Sequence, residues 1–107
     1  MTNNYDYRVV AGDTITIEHS LGDLDLSGVE GVSFTMRHHE SGALVVDKPG
    51  TIVNATDGVV GITLDGAAGE TDTIGVHSAE WVVDRGTDGV RRFPVEEPLH
   101  IYVREKV

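Results

Sequence analysis

Ser78-Ala79-Glu80-Trp81-Val82-Val83 places Ala79, Trp81 and Val83 on one side of an extended chain and Ser78, Glu80 and Val82 on the other. Successive side chains of a strand point to opposite faces, so this stretch reads as a strand with its indole turned inward. The same period recurs on both sides of it. Val32, Phe34 and Met36 alternate with Ser33, Thr35 and Arg37, and Leu99, Ile101 and Val103 alternate with His100, Tyr102 and Arg104. Val60, Ile62 and Leu64 alternate against Gly61 and Thr63, and Thr14-Ile15-Thr16-Ile17-Glu18 keeps the period. Leu44-Val45-Val46, Thr51-Ile52-Val53 and the run from Val90 to Val95 supply shorter strands. One apolar and one polar face marks an antiparallel sheet packed on one side.

Turn signals separate these segments. Gly12-Asp13, Gly22-Asp23, Ser41-Gly42, Pro49-Gly50, Asp57-Gly58, Asp65-Gly66 and Asp88-Gly89 fall between them. Gly, Asn and Asp accept the backbone angles that tight turns require. Leu24-Asp25-Leu26-Ser27-Gly28 has room for one helical turn, but nothing there sustains a 3.6-residue period. Sixteen Val, six Ile and ten Thr favour a pleated surface over helix. The expected fold is an all-β antiparallel sandwich of seven to eight strands. Residues 1–11 form an N-terminal arm or edge strand, and residues 12–107 form one domain.

The chain has 107 residues, no Cys and a formal charge of −10. Without Cys there is no disulfide scaffold, thiolate metal site or thiol nucleophile. The negative field argues against nucleic acid as a partner. No apolar run is long enough for a membrane helix, and Met1-Thr2-Asn3-Asn4-Tyr5 lacks the basic flank and apolar run of a signal peptide. Only Lys48 and Lys106 are lysines, against six arginines and 18 acids. Such a surface stays hydrated in brine, where the screening length falls to ~3 Å at 1 M salt, and the composition points to a halophile, with a high-GC bacterial source as the alternative for the Arg bias.

The histidines, acids and serines are the residues that could carry chemistry. His38 and His39 are neighbours on a strand and point to opposite faces, while His19, His77 and His100 show no ligand spacing along the chain. Asp84 and Asp88 flank a turn but do not make a calcium loop, and neither do Asp23 and Asp25. Glu96-Glu97 are sequence neighbours, and none of the five serines lies in a nucleophile elbow. Gly66-Ala67-Ala68-Gly69 runs into Glu70 and Asp72, whose charges would repel phosphate. The expectation is therefore a non-enzyme with no cofactor and no metal.

One ordered set of phrases is more specific. Gly12-Asp13-Thr14-Ile15-Thr16-Ile17 is followed by Leu24-Asp25-Leu26-Ser27-Gly28-Val29 and Val32-Ser33-Phe34-Thr35-Met36-Arg37. Gly75-Val76-His77-Ser78-Ala79-Glu80-Trp81, Asp88-Gly89, Phe93-Pro94 and Ile101-Tyr102-Val103 close the series. This order resembles the immunoglobulin-like β-sandwich domain at the start of tailed-phage baseplate upper proteins, and its relatives among small tail and fibre proteins. His77 stands where that pattern has Tyr, so any lock on a loop would have to come from a ring nitrogen.

The resemblance implies a virion structural part that acts by packing. It would be a small multicopy subunit of a tail, baseplate, connector or capsid surface, assembled in the host cytoplasm. With the acidic composition, it implies a haloarchaeal tailed virus. Expected partners are other virion proteins and further copies of the chain, with no membrane. The alternative is a carbohydrate-binding or adhesion module on a particle or cell surface. Candidate contact residues are Tyr5, Tyr7 and Val9 on the arm, Arg91 and Arg92 beside Phe93, and Tyr102 on the last strand. Trp81 is the expected core anchor.

Overall fold

The computed structural model describes residues 5–22, 24–94 and 98–106. Among them the chain is all-β, with nine strands and no α-helix. They are β1 (Tyr7–Val10), β2 (Ile15–Ser20), β3 (Gly31–His38), β4 (Leu44–Pro49), β5 (Thr51–Asn54), β6 (Val59–Leu64), β7 (Gly75–Asp84), β8 (Val90–Phe93) and β9 (Leu99–Arg104). Single 3₁₀ turns at Gly66–Ala68 and Gly86–Asp88 join β6 to β7 and β7 to β8. The arm supplies the strand that takes the number past seven or eight.

The strands form two sheets. The larger has the order β1-β9-β7-β3-β4, with β8 also pairing β7, and the smaller has the order β2-β6-β5. β7 is ten residues long. Its first half pairs with β9, from Gly75 opposite Val103 to Ala79 opposite Leu99. Its second half pairs with β8, from Trp81 opposite Phe93 to Asp84 opposite Val90. All pairings are antiparallel except that of β1 with β9, which runs parallel with Tyr7 opposite Ile101 and Val9 opposite Val103.

The alternation read from the sequence settles which side faces inward. Val32, Phe34 and Met36 of β3, Ala79, Trp81 and Val83 of β7, and Leu99, Ile101 and Val103 of β9 are all buried. Ile17, Val60, Ile62 and Leu64 meet them from the smaller sheet. Leu26 adds a plug from the β2–β3 connection. That connection has no helical turn. Asp25 instead accepts the Ser27 N–H through Oδ1 at 2.9 Å, and the Leu26 N–H donates to the Ala55 carbonyl at 2.7 Å. A short polar side chain captures the backbone amide a helix would have used.

The chain crosses between sheets at glycines. Gly50, between β4 and β5, donates its N–H to the Val32 carbonyl at 3.0 Å. A β-carbon there would lie 2.7 Å from Cζ3 of Trp81, so the crossover passes directly against the indole. No helix among the described residues is long and apolar enough to cross a membrane.

Candidate partner-binding surfaces

The arm residues separate once β1 has paired. Val9 is 3% exposed and faces the core opposite Val103, so its side chain is not open to a partner. This corrects the expectation from sequence, because the strand period turns Val9 inward while Arg8 and Val10 turn out. Tyr7 is half-buried, with its hydroxyl engaged within the molecule. Its hydroxyl donates to the Glu18 carbonyl at 3.2 Å and lies 2.9 Å from Nδ1 of His19. Burial, and then the nearby Asp6 charge, raise its pKa above the usual phenol value. Burial lowers the pKa of His19, with Asp6 opposing. The pair pins β1 against β2.

Tyr5 and Tyr102 do come together. Their rings stack with centroids 5.0 Å apart and an interplanar angle of 21°. Tyr102 stands opposite Arg8, and Arg104, two residues on, stands opposite Val10. Arg8 and Arg104 are exposed, and Arg8, Val10, Tyr102 and Arg104 line one shallow depression on the outer surface of the large sheet. Neither arginine was singled out from the sequence. The signal for Arg8 lay in its position one residue from Val9, but its neighbour is 94 residues away along the chain.

Arg91 and Arg92 sit on β8, away from that patch. Arg91 lies over the Phe93 ring, 5.0 Å from the centroid. Arg92 points to the other face and pairs with Glu80, Nε to Oε1 at 3.3 Å. Glu96 and Glu97, and Val95, the expected strand end, lie outside the described residues. Trp81 is fully buried and meets Phe34 edge to face.

Four histidines gather at one end of the large sheet in two pairs that no spacing along a single strand reveals. His38 lies opposite His77 across β3 and β7, with ring centroids 5.3 Å apart. His39 faces the other way and meets His100 at 6.0 Å. His39 Nδ1 also lies 2.9 Å from the Ser78 hydroxyl, and His38 Nδ1 lies 3.2 Å from that of Ser41. No carboxylate holds the second nitrogen of either ring among the described residues, so neither Ser–His contact forms a triad. No three His, Asp or Glu side chains converge to hold an ion among the described residues.

His77 is fully buried. Its Nδ1 lies 3.1 Å from the Gly75 carbonyl and must donate to it, while Nε2 has no partner. The ring thus anchors the start of its own strand rather than a distant loop. Burial lowers its pKa most, the Gly75 carbonyl opposes this, and His38 adds to the lowering. The acidic turns are used locally: Asp84 Oδ1 accepts the Gly86 N–H at 2.9 Å, and the Asp25 carboxyl is held low by the Ser27 amide. Asp23 lies outside the described residues.

The chain has the fold of a solved phage domain. It superposes on the N-terminal domain of phage TP901-1 ORF48 with a TM-score of 0.66 and 12% sequence identity, over 96% of this chain and 90% of that one. No protein-family model matches the sequence, and no curated protein matches it. At this identity the likeness establishes the shared fold.

Proposed function

We propose that this chain is a non-enzymatic structural component of a tailed-virus particle, placed in a tail, baseplate, connector or capsid surface. The observation that carries the reading is the correspondence of nearly the whole chain, 96% of it, with a phage TP901-1 ORF48 domain. The surface fits the role. The outer face of the large sheet carries mixed aromatic, cationic and acidic side chains suited to protein contacts. The immunoglobulin-like character of the sandwich and a haloarchaeal host belong to the same proposal, the latter supported by 18 acids against two lysines. Mass spectrometry of purified particles tests it. The chain is expected at a fixed copy number per particle, and its absence from particles of a host that expresses it overturns the reading.

The Tyr5–Tyr102 stack supports a second reading, a glycan-binding module, since paired rings offer a platform for a sugar. A glycan array probed at high salt separates the two. The buried Trp81 contributes nothing to that reading.

A further inference from the structure

Two patches of opposite charge lie on the same face of the large sheet. The first holds Arg8 and Arg104 around Tyr102 and Val10, at the β1 edge. The second is a groove of about 290 Å³ whose walls include Pro49, Val82 and Val90, with Glu30 and Asp84 among its lining. Val90 is 51% exposed there. None of Arg8, Arg104, Glu30 and Asp84 takes part in an ion pair among the described residues. Carboxylates greatly outnumber cations in this chain, so two neighbouring arginines without a carboxylate are conspicuous.

The register fixes where the patches sit. Arg104 ends β9 one residue past Val103, which stands opposite Gly75, the first residue of β7, at the β1 side of the sheet. The groove lies at the last residues of β7 and β4 and the first of β3, towards the β4 side. The patches therefore occupy diagonally opposite corners of one face. Two copies laid face to face about a two-fold axis in the plane of contact, perpendicular to that diagonal, bring each patch onto its opposite. Such an isologous contact makes every favourable pairing twice.

We infer that this face is a self-association surface, with Arg8 and Arg104 of each copy meeting Glu30 and Asp84 of a second copy. The inference rests on the packing role proposed above and names its partner. Tyr102 and Val10 of one copy then cover the Val82–Val90 groove of the other, so the apolar and charged parts of the contact coincide. The complementary charges set the register of the pair.

Sedimentation equilibrium of the full chain at ~0.15 M salt, where the screening length is ~8 Å, tests this. The wild-type chain is expected to reach dimer mass below ~1 mM, within the range of a weak, specific contact. Arg8→Glu/Arg104→Glu and Glu30→Arg/Val90→Arg should each weaken self-association at least about tenfold, because like charges then face each other. Asp84 is kept because it holds the Gly86 turn. Mixing the two variants should restore a dimer, since both contacts then join opposite charges. If a charge reversal perturbs folding, Arg8→Gln/Arg104→Gln removes the attraction alone and should still weaken the pair. A wild-type chain that stays monomeric, variants that pair as tightly as wild type, or a mixture that stays monomeric overturns the inference. Monomers that still enter particles would overturn this pairing alone, whereas dimers absent from particles would overturn only the virion role.

Discussion

Phe34 and Trp81 face each other directly across β3 and β7 and meet edge to face, with ring centroids 5.0 Å apart. Both are fully buried, at the centre of the inner face of the large sheet. Replacing Trp81 by Ala is expected to cost ~3–5 kcal/mol, from lost burial and the cavity left behind. Trp81→Phe should cost less, because it also removes an indole N–H that has no acceptor among the described residues. Urea unfolding of the two variants measures the difference.

Gly50 leads from one sheet to the other with the indole against it. An alanine methyl would lie 2.7 Å from Trp81 Cζ3 and 3.0 Å from the Gly61 carbonyl. Gly50→Ala is expected to destabilise by ~1–3 kcal/mol through overpacking, although alanine ordinarily lowers the entropy cost of folding. A lowered thermal midpoint checks this, and a near-UV spectrum that reports a displaced Trp81 identifies the cause.

His77 couples stability to pH. Its native pKa is lowered by burial, with the Gly75 carbonyl opposing and His38 adding to the shift. In the unfolded chain the same ring titrates near ~6.5. Below that value the unfolded state holds a proton that the native state refuses, so stability is full above about pH 6.5 and is lost as the pH falls towards the lowered native value. His19, lowered mainly by burial, acts in the same direction. Unfolding midpoints should fall between about pH 7.5 and 5.5, and His77→Phe should flatten that slope.

Two ion pairs should differ in worth. Glu70 Oε1 receives Lys48 Nζ at 2.6 Å and the Asp65 N–H at 2.7 Å, in a half-buried position. Arg92–Glu80 is a single 3.3 Å contact between exposed side chains. Glu70→Ala should cost ~1.5–3 kcal/mol, whereas Arg92→Ala should cost under ~1 kcal/mol. Chemical denaturation of the two variants side by side measures the contrast.

The sequence carried the faces of the strands far better than their neighbours. Alternation around Phe34, Trp81 and Ile101 told which side is buried, since that follows from two-residue periodicity alone. It could not tell that Tyr5 meets Tyr102, that His38 meets His77, or that Arg8 lies beside Tyr102. Those relations depend on which strands pair and in what register, a matter of contacts far apart along the chain. The misplacement of Val9 has the same origin. Its period becomes visible only once β1 is fixed against β9, because the arm as a free tail has no inside.

The parallel pairing of β1 with β9 has a mechanical consequence. β1 starts beside Ile101, and β9 ends beside Val10, three residues further along the shared ladder. Tension drawn through those two strands pulls them past each other lengthwise, and the evenly spaced bonds of a parallel ladder then bear the load together instead of opening one by one. Pulled at those two points, the pair is loaded in shear along its whole ladder.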